Sequence, residues 1–305
     1  TQGVSSAASD VYKRQGLETE FQTEQGVVKA LRGIDYTVDK GEVLGIVGES
    51  GSGKSVGMLS MMGLLAPNGT VTAGEMIFDG EDISPVKYKT KKEKKEYEKK
   101  MNAIRGNDIS MIFQDPMSYL NPIVTIEKQM TEGIRAHDKC SKQEARERAV
   151  ELMKMVGIPA PESRLKQYPF EFSGGMRQRI VIAIALAANP DILICDEPTT
   201  ALDVTIQAQI LKLIKDLQKE YNYTIVFITH DLGVVANIAD RVAVLYAGQI
   251  IEFANVEELF YDPRHPYTWA LLSSLPQLAE RNTKLFSITG TPPSLYNKII
   301  GDPFA

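Results

Sequence analysis

Two short segments of this chain bring together residue types suited to phosphate chemistry. Gly48-Glu49-Ser50-Gly51-Ser52-Gly53-Lys54-Ser55 fits the pattern G-x-x-x-x-G-K-[ST], between an apolar run and a helical pattern. Gly48, Gly51 and Gly53 let the backbone bend so that its N–H groups, those of Ser50 and Ser52 among them, close around phosphate oxygens. Lys54 adds a point charge for the β and γ phosphates, and the Ser55 hydroxyl can ligate Mg²⁺. The second segment, Ile192-Leu193-Ile194-Cys195-Asp196-Glu197, is an apolar strand delivering two carboxylates at its C-terminal end, where open α/β sheets bind ligands. Asp196 is placed to hold the metal or its water, and Glu197 to polarise an attacking water. The plainer reading is an acidic strand end that caps the next helix; the glycine-rich loop upstream weighs against it. Cys195 reads as a small core residue rather than a reactive thiol.

Between these segments stands Phe172-Ser173-Gly174-Gly175-Met176. Ser173 is a good helix N-cap, and Gly174 and Gly175 leave the first helical N–H groups open to an anion. Taken alone it is a capped helix with a second anion site to spare.

The elements that must position these residues alternate. Val27 to Val38 and Glu42 to Val47 read as strands, followed by a helix from about Lys54 to Leu65. The turn Pro67-Asn68-Gly69, the segment Glu75 to Phe78 and the turn Asp79-Gly80 predict a short antiparallel pair. Helices are expected over Ile126 to Arg135, over Lys142 to Met155 with a Ser141/Glu144 capping box, and over Gly174 to Ala188. Then come strand Ile192 to Cys195, helix Thr205 to Tyr221, strand Thr224 to Thr229, and a helix and strand through Val242 to Tyr246. Strands alternating with helices predict a parallel α/β sheet, and the nearly all-helical stretch 120–175 predicts an inserted subdomain. Lysines dominate Lys87 to Lys100; a solvated face paired with Glu93, Glu96 and Glu98 outweighs an anionic-lipid or nucleic-acid patch.

Composition narrows the function classes. The 305 residues are 43% hydrophobic and 24% charged, enough for a sizeable core, and the net charge of −5 gives no global basic field for nucleic acid. Two cysteines, Cys140 and Cys195, do not make a disulfide framework and favour a reducing compartment. The longest apolar runs fall short of the roughly 20 residues that span a bilayer, so a membrane role must come through a partner. Thr1 to Gln15 lacks apolar periodicity and reads as a disordered or foreign leader, and the end at Ala305 reads as a fragment.

The order of these motifs resembles the ATP-binding subunits of ABC transporters, over about residues 17 to 300. The resemblance implies a P-loop NTPase α/β core with an antiparallel β-subdomain, an inserted α-helical subdomain and a C-terminal extension. The implied domains are 16–261 for the ATP-binding domain and 262–305 for the extension. It implies ATP with Mg²⁺, and two subunits, identical or paralogous, sandwiching two ATPs. In that arrangement Ser173, Gly174 and Gly175 would bind the γ-phosphate of ATP held by the opposite chain, although Phe172 and Met176 replace the commoner Leu and Gln. Gln114 matches the glutamine that senses magnesium and the attacking water. Asp196 and Glu197 match the magnesium ligand and general base. Asp203 matches the loop contacting the other subunit, and His230 the histidine at the γ-phosphate. His137 and His265 have no comparable match. Phe21 is the candidate adenine-stacking aromatic, Tyr12 lying in the doubtful leader.

Phe113-Gln114-Asp115-Pro116-Met117, Glu197 to Gln209, Asp262-Pro263-Arg264-His265-Pro266-Tyr267-Thr268 and Gly290-Thr291-Pro292-Pro293 resemble the oligopeptide/dipeptide importer group. That group implies permease subunits, an extracytoplasmic solute-binding protein and a peripheral place on the cytoplasmic membrane face. Relatives carrying nickel, glutathione or other small solutes remain alternatives. So do a non-transport ABC ATPase and a nucleotide-dependent regulatory module without turnover; Glu197 argues against the last. Asp302 stands about where many relatives place the first cysteine of an iron–sulfur cluster, and this chain cannot supply four thiolates, so no cluster is expected.

Overall fold

The computed structural model describes residues 10–114, 119–200, 202–275, 288, 291–297, 299 and 301–304. Thr1 to Ser9, Asp115 to Ser118, Ala201 and Gly290, on which parts of the leader and importer-like motifs fall, lie outside the described residues. In chain order the elements are β1 (Asp10–Thr23), β2 (Gly26–Asp39), β3 (Val43–Val47), α1 (Lys54–Met62), β4 (Gly69–Phe78), β5 (Glu81–Asp82), α2 (Lys91–Ile104) and β6 (Ile109–Ile112). There follow α3 (Ile126–His137), α4 (Lys142–Met155), α5 (Pro161–Arg164), α6 (Gly174–Ala185), β7 (Ile192–Asp196) and α7 (Val204–Tyr221). The last are β8 (Thr224–Thr229), α8 (Leu232–Ile238), β9 (Arg241–Tyr246), β10 (Gln249–Asn255), α9 (Val256–Tyr261) and α10 (Pro266–Ser273). Two compact units divide the chain: Thr1–Glu98 with Val226–Ala305, and Lys99–Ile225.

In the first unit β1, β2, β4 and β5 form an antiparallel sheet in the order β2-β1-β4-β5. This corrects the expectation of disorder from Asp10 onward. Within Asp10 to Arg14 the chain pairs with β2, and Tyr12 to Gln15 pair with β4. Tyr12 and Arg14 are fully buried. The guanidinium of Arg14 lies 4.9 Å from the ring centroid of Tyr36, donates from Nε to the Tyr12 hydroxyl at 2.5 Å, and packs over Gly57 of α1. The segment looked featureless because its buried residues are tyrosine and arginine, joined by hydrogen bonding and cation–π contact rather than by aliphatic periodicity.

The same unit holds β3, β9 and β10, with β3 parallel and β10 antiparallel to β9. All five residues of β3 are buried, and each Val, Leu or Ile contributes about 1.5–3 kcal/mol by leaving water. Gly45 lets α8 pack close: a Cβ there would stand 2.7 Å from Val235 Cγ1. A bidentate pair from Arg241 to the buried Glu42 ties β9 to the start of β3. The Lys29 N–H of β2 donates to the Leu295 carbonyl, and the Arg32 N–H to the Gly248 carbonyl. The C-terminal stretch contributes α10, whose Tyr267 is fully buried.

The second unit joins β6 and β7 in parallel and carries α3 to α7. The Ser141/Glu144 capping box forms at α4 as its spacing predicts. Helix α2, which carries the chain from one unit to the other, exposes its lysines and buries Tyr97, Met101 and Ile104, in keeping with a solvated face.

Candidate nucleotide site

In the first unit the segment Gly48–Ser55 leaves β3 and enters α1. Parallel pairing sets Val47 beside Val244, so the next residue, Gly48, faces Leu245. Its φ is 152°, and a Cβ there would come 2.1 Å from the Leu245 carbonyl oxygen, so only glycine fits. Gly53, at φ 106°, caps α1 with no side chain to obstruct the N-terminal amides. Behind the loop, the Ser52 carbonyl accepts from the Gly248 N–H at 2.9 Å. Gly248 belongs to the Ala247-Gly248 hairpin turn, both residues at positive φ. Sequence reasoning missed this brace, although a turn glycine between two apolar runs is its signal. Lys54 is buried, and its ammonium donates to the Gly48 and Glu49 carbonyls at 2.7 and 2.8 Å. Ser55 is the second residue of α1, and Ser50 and Gly51 are exposed at the loop crest.

His230 belongs to this unit too, exposed just past β8. The neighbouring Asp231 is occupied in capping α8, its Oδ1 accepting from the Gly233 and Val234 N–H groups. Phe21 packs its ring against Gly69, where a Cβ would lie 2.7 Å from Cε1. Tyr12 is fully buried.

The second unit carries Gln114, Ser173 to Gly175, Asp196, Glu197 and Asp203. Register explains one pairing. Ile112 lies opposite Cys195, so two residues on, Gln114 comes beside Glu197, and its Nε2 donates to Glu197 Oε2 at 3.2 Å. Thr200, which the sequence reading did not single out, donates from Oγ1 to the same oxygen at 3.0 Å. Glu197 adopts φ 46°, a left-handed conformation costing about 1–2 kcal/mol for an L-residue. Asp196, at the end of a wholly buried strand, is 5% exposed. Burial pushes the Cys195 thiol well above its usual range, which keeps it an inert core residue.

Ser173 caps α6, its Oγ accepting from the Met176 N–H, and Asp203 caps α7, its Oδ1 accepting from the Ile206 N–H. The two helix starts lie together: a Cβ on Gly175 would stand 2.7 Å from Ile206 Cγ2, whereas one on Gly174 would only touch Leu202 at 3.7 Å. Gly175 is therefore required by packing, whereas Gly174 is not and stands next to an exposed Ser173. Two adjacent helix N-termini make a favourable place for an anion. Phe172 is buried and anchors the segment, with the Arg164 guanidinium over its ring.

Comparison with known proteins agrees with this geometry. The family model described as "ABC transporter" matches residues 31–200, and "Oligopeptide/dipeptide transporter, C-terminal region" matches residues 251–305. The chain is 58% identical over 291 residues to the oligopeptide transport ATP-binding protein OppD of Bacillus subtilis, covering 95% of this chain and 78% of that one. It is 53% identical over 300 residues to the dipeptide transport ATP-binding protein DppD of Lactococcus lactis, covering 98% and 83%. Among solved structures, the dimeric post-hydrolysis ATP-binding cassette MJ0796 with ADP and phosphate aligns at TM-score 0.68 and 28% identity, over 80% of this chain and 98% of that one. With its phosphate loop, its Gln114–Glu197 pair and its capped Ser173 helix, the chain belongs to the ABC transporter family as an ATP-binding, ATP-hydrolysing member.

Proposed function

We propose that this chain hydrolyses ATP to drive import of oligopeptides or dipeptides through membrane-spanning permease subunits. The observation carrying the hydrolytic part is the Glu197 carboxylate, held by Gln114 and Thr200 at the end of β7. So held, Glu197 can take a proton from the attacking water, while Lys54 and the loop amides bind the phosphates. Magnesium suits hard oxygen donors, for which the candidates are the Ser55 hydroxyl in the first unit and, in the second, the Asp196 carboxylate and the Gln114 side-chain carbonyl; when bound it would neutralise charge on the phosphates. His230 would contact the γ-phosphate. Ser173, Gly174 and Gly175 would complete the site of a second ATP-binding chain, with Asp203 at the contact between them.

The peptide part rests on the OppD and DppD relatives and on the C-terminal match. No helix among the described residues is long and apolar enough to cross a membrane, which fits attachment through permeases at the cytoplasmic face. A solute-binding protein outside the membrane would deliver the peptide.

Glu197→Gln in the complex with the permease subunits should lower steady-state ATP hydrolysis at least a hundredfold and leave ATP binding in place. Wild-type complex without turnover would sink the hydrolytic reading. Reconstituted vesicles that take up nickel or glutathione but no peptide would sink the substrate assignment.

A further inference from the structure

We propose that Tyr267, in the C-terminal region, is a positioning residue for the phosphate loop: its hydroxyl fixes the Gly48–Glu49 peptide on which Lys54 rests. The Glu49 N–H donates to Tyr267 Oη at 3.2 Å. The carbonyl of the same peptide unit, that of Gly48, accepts from Lys54 Nζ at 2.7 Å. One peptide plane is thus held at both ends, by the C-terminal region through its N–H and by the phosphate-binding lysine through its C=O. That plane follows Gly48 at φ 152°, a conformation open only to glycine, whose backbone is the least self-restrained of any residue. An external hold is what such a peptide needs to keep one orientation.

The mount for Tyr267 is built for rigidity. The side chain is fully buried, its ring centroid 4.4 Å from that of Tyr246 and 5.3 Å from that of Phe304, the latter edge-on. Its own N–H donates to His265 Nδ1 at 3.1 Å. Because Nδ1 accepts, the ring hydrogen sits on Nε2, which meets Asp302 Oδ2 at 2.7 Å. Asp302 Oδ1 in turn accepts from the Phe304 N–H at 2.7 Å. The chain of contacts runs from residues 302–304 through α10 to the loop, and all of it lies within the first unit. His265, without a catalytic match in the sequence, thereby has a structural task. Burial raises the Tyr267 phenol above its usual pKa, so the hydroxyl stays neutral at physiological pH.

The inference rests on the loop binding nucleotide, and its test separates the two. Tyr267→Phe keeps the ring and removes one hydrogen-bond acceptor. In the full chain with its permease partners, KM for MgATP and Kd for a non-hydrolysable ATP analogue should both rise about two- to tenfold, with kcat within twofold of wild type and an unchanged melting temperature. The Glu49 amide should exchange hydrogen faster in the variant while β3 amides keep their protection. Unchanged KM and Kd, or a loss confined to kcat, would overturn the role of Tyr267 alone. Wild type that binds no analogue would instead defeat the nucleotide reading. Should the variant not fold, rapid exchange of the Glu49 amide in wild type overturns the proposal.

Discussion

The Asp302 carboxyl is held below its ordinary pKa, first because the Phe304 N–H bonds to it and further because His265 does. A depressed folded pKa stabilises above the unfolded value and loses that contribution as pH falls through the folded value. The His265–Asp302–Phe304 contacts should therefore persist through neutral pH and loosen only below about pH 4. Trp269, the chain's single tryptophan, stands on α10 and reports this in an emission titration from pH 7 to 3. Asp302→Asn should remove the acid transition, and a midpoint above pH 5 in wild type would count against the assignment. At this scale the sequence is most legible where residue type and spacing together form a motif. Lys54, Ser173 and Glu197 announce themselves through glycine spacing and a strand end. Tyr267 and Thr200 do not, because each acts through a hydrogen bond to a residue that other elements bring near.

Among the elements, close approach of backbone to backbone decides several positions. Gly45 in β3 stands against Val235 and Ala239, so Gly45→Ala should overpack the α8 contact and cost about 1–3 kcal/mol, read as a lower melting temperature. Gly45→Val should be worse, and a melting temperature equal to wild type for both would refute the packing argument. Apolar strands such as Val43–Val47 and Thr224–Thr229 matched expectation because strands buried on both faces read as near-continuous apolar runs. The first half of strand β1 did not, since its core positions there are filled by Tyr12 and Arg14. Strand β6 was also unread: its four residues are too few for a period to show. Parallel register did more than positional motifs could, bringing Gln114 to Glu197 and Gly48 to Leu245.

The proposed site residues fall in two units, with Gly48–Ser55 and His230 in one and Gln114, Ser173, Asp196 and Glu197 in the other. Under the proposed sandwich, the exposed Ser173 serves ATP bound by another chain. Ser173→Arg should then leave the variant's own ATP affinity within about twofold of wild type while abolishing nucleotide-dependent dimerisation and steady-state hydrolysis. Size-exclusion chromatography with ATP, in the Glu197→Gln background where ATP should not be consumed, checks the dimerisation, and a steady-state ATPase assay of Ser173→Arg alone checks the hydrolysis. Normal dimers in that variant would overturn the arrangement. The C-terminal region was legible as a match to relatives and illegible as structure, since nothing in its proline-rich sequence predicts which surface it covers.

That coverage has a consequence for solubility. Strand β2 ends the order β2-β1-β4-β5, and the outer side of such a strand offers a row of amides and carbonyls to any passing chain. Here the Lys29 and Arg32 amides are already taken by the carbonyls of Leu295 and Gly248, and the Arg32 guanidinium reaches the carbonyls of Ala247 and Ile299. The Ala247-Gly248 turn and the C-terminal stretch at Leu295 and Ile299 thus cover this edge together, which guards it against strand-to-strand aggregation.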